Sequence, residues 1–167
     1  MKTHAPKLFA LLFLTTLLFS CAKEEDGVYF NENSEVANAK VIYSPMESEI
    51  VSLVNAHRTS LGLNALNTLN IVSGVADGHT DYMIEVGQVS HDNFAQRAQT
   101  LMNEAAAKTV GENVAYGYST AEGVVKGWLN SDGHRKIIEN PDYTHVGISM
   151  ETSADNRNYF TNIFIKK

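Results

Sequence analysis

The chain has 167 residues, enough for one domain of ordinary size and a short leader. Apolar residues make up 44% and charged residues 19%, which is typical of a globular protein with a core. The formal net charge is -6, and an acidic chain lacks the positive surface that nucleic-acid phosphates require. We therefore expect no nucleic-acid partner.

Residues 1–20 have the three-part plan of a secretory signal peptide. Two lysines precede an apolar run from Leu8 to Phe19, and the small residue Ser20 follows it. The run is too short to span a bilayer comfortably. An uncleaved membrane anchor or a buried helix is the alternative interpretation.

Cys21 is the only cysteine, so an exported chain of this kind cannot form an internal disulfide. The segment Leu18-Phe19-Ser20-Cys21 resembles a bacterial lipobox, in which the thiol receives diacylglycerol and becomes the new N-terminus. This resemblance predicts a lipoprotein that is attached to the membrane through its N-terminal lipid. We expect it in the bacterial cell envelope, anchored to the outer membrane and either periplasmic or surface-exposed.

Residues 22–43 are polar and acidic, with no helical or strand period, and are predicted to form a flexible tether. The run Lys23-Glu24-Glu25-Asp26 resembles a signal that sends some bacterial lipoproteins to the outer cell face. A solvated linker explains the same charges equally well.

The first predicted helix begins at Ser44 with a capping box. Ser44 suits the N-cap, Pro45 the first helical position and Glu47 the third. Gly62 fits the end of this helix. Five apolar residues recur at helical spacing between these points: Met46, Ile50, Leu53, Val54 and Leu61.

A second helix is predicted from Leu69 to Val86, ended by Gly87, although Gly74 and Gly78 within it weaken its regularity. A short helix follows at residues 93–102. One stripe of the second helix consists of Val72, Val75, Ala76, His79, Met83 and Val86.

Ser119 and Glu122 predict another capping box, which opens a helix that contains Trp128 and ends near residues 131–133. The pattern then alternates, first over Val146, Ile148 and Met150 and then from Tyr159 to Ile165, with a polar turn between the two runs. Such alternation predicts an antiparallel hairpin. Helices followed by a sheet indicate the α+β class.

The candidate functional residues are His79, His91, His134 and Glu112. His57 and His145 are interpreted as structural. Glu112 stands out because its neighbours are mostly small and apolar. Two imidazoles and one carboxylate could bind Zn²⁺ with open coordination positions, or act as general acid and base. Their spacing along the chain leaves open whether they meet.

Six short motifs follow one another between Ser44 and Ile165. In order they are Asn55-x-x-Arg58-x-x-x-Gly62, Ala76-x-x-His79-x-x-x-Met83, Val89-Ser90-His91 leading to Arg97, Gly111-Glu112-Asn113-Val114-Ala115, Trp128-x-x-Ser131-x-Gly133-His134-Arg135 and Val146-Gly147-Ile148. This ordered set resembles the bacterial branch of the CAP superfamily, which comprises the cysteine-rich secretory, antigen 5 and pathogenesis-related 1 proteins.

The resemblance implies a CAP-type α-β-α sandwich over residues 44–167, with a small central antiparallel sheet flanked by helices. Family members line a cleft with two histidines and two glutamates, which in some members bind a divalent metal. His91, Glu112 and His134 match three of these four, and Ser131 stands where the second glutamate would be. A metal site here would need His79 or water to complete it.

The resemblance leaves two functions open. The first is a binding module whose cleft, with Asn113 beside Glu112, takes a small molecule, a lipid or an envelope component, with or without Zn²⁺ or another divalent metal. The second is a metal-dependent hydrolase of peptide or envelope material, in which zinc lowers the pKa of a bound water to about 7. No serine lies in a nucleophile-elbow pattern, which favours binding. A hydrogen-bonded network that only stabilises the domain is the third interpretation.

Overall fold

Five helices and four strands follow one another in the computed structural model, which describes residues 41–167. The predicted signal peptide, Cys21 and residues 22–40 of the predicted tether lie outside the described residues. In chain order the elements are α1 (Pro45–Ser60), β1 (Asn67–Thr68), α2 (Asn70–Val86), α3 (Phe94–Glu104), β2 (Thr109–Tyr116), α4 (Ala121–Asn130), α5 (Asp132–Ile138), β3 (His145–Thr152) and β4 (Asn158–Lys166).

The first two helices begin and end close to their predicted limits. Ser44 Oγ accepts from the Glu47 amide at 3.2 Å, and Glu47 Oε2 accepts from the Ser44 amide at 2.7 Å, so the predicted capping box is confirmed. Leu61 and Val86, the last members of the two apolar patterns, lie at helix ends and are 52% and 48% exposed. Tyr43, at the end of the predicted tether, shares a hydrogen bond with Ser73 Oγ at 2.8 Å.

The prediction was wrong by one residue at the start of α4 and missed α5. Thr120, not Ser119, is the N-cap, and its Oγ1 accepts from the Gly123 amide at 3.1 Å. The predicted turn at residues 131–133 contains one extended residue, Ser131, after which Asp132 opens α5. An acidic residue in a first turn favours the positive end of a helix. His134 therefore lies in α5, and not at the end of α4 as predicted.

The four strands form one sheet in the order β1-β3-β4-β2. The predicted hairpin is confirmed, since β3 and β4 pair antiparallel, and β2 pairs antiparallel with β4. The two-residue β1 pairs parallel with β3, so the sheet is not wholly antiparallel. β2 was not predicted, because Glu112 and Asn113 are buried polar residues that break the usual strand pattern.

Helices cover both faces of the sheet, which confirms the α-β-α sandwich. Ile163 and Ile165 of β4 pack with α2 and α3, whereas Phe160 and Phe164 pack with the layer of α1, α4 and α5. At Gly147 a Cβ atom would overlap the Ser73 amide nitrogen, so α2 approaches the sheet more closely than a larger residue would permit. None of the described helices is long and apolar enough to cross a bilayer.

Candidate functional site

Glu112 is a buried carboxylate at the centre of a charged cluster between β2 and α3. Its side chain is 1% exposed and points toward the layer formed by α2 and α3. Arg97 of α3 donates from Nε to Oε2 and from Nη2 to Oε1, both at 2.8 Å. This bidentate pairing neutralises the carboxylate and fixes its plane.

His91 extends the cluster to the surface. Its Nδ1 donates to Glu112 Oε1 at 2.8 Å, while the ring is 51% exposed. A carboxylate that accepts from one ring nitrogen sets the tautomer of the imidazole and leaves the other nitrogen for a further partner. His91 thus presents Nε2 as the accessible atom of an otherwise fixed ring.

His79 supports the segment that carries His91. Its buried ring donates from Nε2 to the carbonyl of Ser90 at 2.8 Å and lies 3.9 Å from Glu112 Oε1. The ring also stacks on Tyr82, with 5.9 Å between centroids. Burial lowers the pKa of His79, so near neutral pH it is an uncharged donor that holds the loop.

The pKa of Glu112 shows which influence dominates in the cluster. Burial alone would raise it, but the hydrogen bonds from His91 and Arg97, together with the charge of Arg97, bring the pKa below its ordinary value of 4.5. The carboxylate is therefore ionised at neutral pH and acts as an acceptor only.

His134 lies on α5, which belongs to the helical layer on the other face of the sheet. Burial lowers the pKa of His134, and the charge of His91 lowers it further. Asn113 points away from Glu112, because neighbouring strand residues face opposite sides of a sheet. Asn113 Nδ2 donates to the backbone carbonyl of His134 at 3.1 Å, and so it anchors α5.

The structure thus brings His79, His91 and Glu112 into one cluster. His134 is linked to it through the charge of His91 and through the hydrogen bond from Asn113 to its backbone. Arg97 was overlooked as a site residue, although it occurs in one of the motifs. The sequence signal that could have identified Arg97 is Glu112 in its apolar surroundings, because a buried carboxylate needs a cationic or hydrogen-bond-donating partner. His57 pairs with Glu139 at 2.9 Å, which agrees with the structural role expected for it.

The predicted metal set fits the geometry only in part. Both oxygens of Glu112 already accept hydrogen bonds, and His79 Nε2 donates to a backbone carbonyl. Within residues 41–167, no three His, Cys, Asp or Glu side chains are arranged to hold a metal ion. The imidazoles of His91 and His134 are the donors left free for one.

Comparison with known proteins gives the family. The model of the cysteine-rich secretory protein family, CAP, matches residues 51–164. An uncharacterized membrane protein of Bacillus subtilis, YlbC, is 36% identical over 133 residues, which are 77% of this chain and 36% of that protein. The B. subtilis protein YkwD is also 36% identical, over 66% of this chain and 44% of its own length. The chain therefore spans less than half of either relative.

A solved structure agrees with these matches. An outer surface protein of Borrelia burgdorferi is 25% identical, with a TM-score of 0.67 over 75% of this chain and 96% of that one. The matched residues 51–164 include the whole cluster around Glu112. The chain belongs to the cysteine-rich secretory protein, or CAP, family.

Proposed function

We propose that this protein is a binding module of the bacterial cell envelope, in which His91 and His134 recognise a polar envelope component. The observation that carries the proposal is the half-exposed ring of His91, held through Nδ1 by a carboxylate that is itself buried and paired. A fixed imidazole loses little conformational freedom when a ligand binds, which favours affinity.

The second ring adds a complementary group. The lowered pKa of His134 keeps it uncharged near neutral pH, so it can donate from one nitrogen and accept at the other. A ligand that contacts His134 therefore meets a neutral hydrogen-bonding group. Zn²⁺ or another divalent ion could join the two imidazoles, with the remaining coordination positions taken by water or the ligand.

The hydrolase alternative has less support. It would use Glu112 as a metal ligand or a general base, yet both oxygens of this carboxylate accept from Arg97 and His91. In the proposed module Glu112 instead orients His91, as outer carboxylates orient ligating histidines in metal sites.

Membrane attachment is part of the same proposal. Two of the relatives are named as a membrane protein and an outer surface protein. The predicted lipid on Cys21 would hold the domain at the membrane, through a tether of about twenty residues that reaches roughly 20–25 Å. Mass spectrometry of the protein from bacterial membranes tests this, and a Cys21→Ser chain that stays in the membrane fraction would contradict it.

Calorimetric titration of the full chain in detergent with solubilised muropeptides tests the binding proposal. We expect His91→Gln and His134→Gln each to weaken binding about tenfold, because each removes a hydrogen-bonding ring at the cleft. His57→Gln is the matched control and should bind as the wild type does. Equal binding by all four chains would contradict the proposal. A parallel titration with ZnCl₂ tests whether a metal takes part.

A further inference from the structure

A cavity of about 510 Å³ lies at one end of the sheet, beside the turn between β3 and β4. Its volume is within the range of about 300–1,000 Å³ that is usual for small-molecule sites. One wall consists of Ile84 near the end of α2 and of Gln88 and Val89 in the segment that follows this helix. Another wall is the turn that contains Asp155 and Arg157. The structure thus presents a concave surface with both apolar and polar side chains.

Two tyrosines form the aromatic part of the cavity. Tyr116 of β2 pairs with Tyr159 of β4, and their ring centroids are 5.5 Å apart. Tyr159 is buried, whereas Tyr116 is 42% exposed. Because Tyr116 follows Glu112 by four residues, both side chains lie on the same face of the sheet, about 13 Å apart along the strand. The cavity is therefore a second place on this face, separate from the cluster around Glu112.

The polar side of the cavity is fixed by ionic and hydrogen-bonding contacts. Arg157 Nε lies 3.2 Å from Asp155 Oδ2, and Arg157 Nη1 donates to the Tyr116 hydroxyl at 2.9 Å. The guanidinium also lies over the Tyr116 ring, 5.7 Å from its centroid. The turn itself is held by Ser153, whose Oγ accepts from the Arg157 amide at 3.2 Å. These contacts place a donor, an acceptor and an aromatic ring side by side.

The charges of the cavity cancel. Among the described residues that line it, Asp155 and Arg157 carry opposite charges, and Gln88 and Ser153 are polar but neutral. An anionic ligand would be repelled by Asp155, and Arg157 already gives two of its nitrogens to partners. An acyl chain would take water away from both charged side chains and replace none of its hydrogen bonds. A neutral ligand that carries several hydroxyl groups avoids both penalties.

We infer that this cavity binds a neutral sugar. A pyranose ring has an apolar face of C–H groups, which suits Tyr116 and Tyr159, and hydroxyl groups around its edge, which both donate and accept. Asp155 can accept from these hydroxyl groups, while Gln88 and Arg157 can donate to them. The inference goes beyond the proposed function, because it uses none of the residues assigned to the histidine cleft.

Proton NMR of the full chain in a sugar-free detergent tests the inference. The probes are the methyl glycosides of glucose, galactose, mannose and N-acetylglucosamine, each titrated to about 50 mM, which is far above a dissociation constant of about 1 mM. We expect at least one of them to shift the ring signals of Tyr116 and Tyr159 in a saturable manner. Methyl glucuronide should bind no more tightly than methyl glucoside, because its carboxylate would face that of Asp155.

Tyr116→Leu and Asp155→Asn should each weaken sugar binding about tenfold, because one removes an aromatic face and the other a charged acceptor. Tyr118→Leu is the matched control and should bind as the wild type does, since Tyr118 is 37% exposed and lies outside the cavity. Asp155 is an exposed residue of a turn, so its variant still decides the question if Tyr116→Leu does not fold.

Three results would overturn the inference. They are no saturable shift with any of the four glycosides, equal binding by the wild type and both cavity variants, and tighter binding of the glucuronide, which would indicate an anion site. Sugar binding that falls in His91→Gln or His134→Gln would place the sugar in the histidine cleft and would also overturn it. If these two variants keep both sugar and muropeptide binding, the inference stands and the proposed function fails.

Discussion

Two buried charged side chains, Arg58 and Glu112, are held in different ways. Arg58 is 0% exposed, and its guanidinium donates to the backbone carbonyls of Ile138 at 2.6 Å, Asn140 at 2.8 Å and Asn64 at 3.0 Å. These carbonyls belong to loops and to the end of α5, so Arg58 fastens segments that have no regular pairing of their own.

Glu112 is held by side chains, and its chain of contacts ends at the surface. Arg97 and His79 surround it inside the fold, while His91 connects it to solvent. The comparison teaches a practical distinction. A buried charge that donates mainly to backbone carbonyls, as Arg58 does, stabilises the fold. One that fixes an exposed imidazole, as Glu112 does, positions a binding group.

Arg58→Met should have the largest effect on stability. The substitution keeps apolar volume but leaves several buried carbonyls without donors, at a cost of about 1–3 kcal/mol each. We expect the free energy of unfolding to fall by about 3–5 kcal/mol in denaturant titrations. Lys136→Met, at an exposed position, is the control and should change it by less than about 0.5 kcal/mol. A loss of stability no larger than that of the control would contradict the structural role assigned to Arg58.

Arg97→Met should destabilise the chain less, by about 2–3 kcal/mol, because Glu112 can relieve its unpaired charge by taking up a proton. The pKa of Glu112 should rise, since Arg97 supplies two of its hydrogen bonds. Thermal unfolding of Arg97→Met with and without Glu112→Gln measures the coupling. Additive losses in the double variant would contradict the pairing.

The dependence of stability on acidic pH should distinguish Glu112 from ordinary surface carboxylates. Because its folded pKa lies below 4.5, its stabilisation is complete above the unfolded value and is lost as the pH falls through the folded pKa. Glu112→Gln should therefore flatten the loss of stability from about pH 5 downward. Glu104→Gln, an exposed control, should keep the wild-type profile, and identical profiles for both variants would refute the assignment.

His91→Gln should produce the smallest change, a rise in the pKa of His134. Burial keeps that pKa low, and removing the neighbouring charge takes away the second cause. Proton NMR titration measures the shift. The pKa of His145, which burial and Lys167 lower, is the control and should not move. An unchanged pKa of His134 would show that the two rings do not face one cleft.

The sequence predicted more of the fold than of the site. Helix caps and alternating strands are local patterns, and this is why Ser44, Gly87 and the hairpin were found at or near their positions. β2 carries Glu112 and Asn113 in its interior, where only contacts distant in the chain make buried polar residues acceptable. The role of Arg97 depends on such contacts.

Asn113 illustrates the same limit within one motif. It follows Glu112 directly, and adjacency predicted a shared cleft. The strand pleat turns the two side chains to opposite faces, so one orients His91 and the other supports the backbone of His134. Motif position alone does not separate these roles, because it leaves out the strand that contains them.

Nitrogen-15 NMR of the His91 ring tests the central claim most directly, namely that Glu112 fixes this ring with Nε2 free for a ligand. In the neutral form, the proton should lie on Nδ1, and the Nε2 signal should shift when muropeptides are added. In Glu112→Gln the preference for Nδ1 should weaken. A proton on Nε2 in the wild type, or the same ring spectrum in both chains, would contradict the claim.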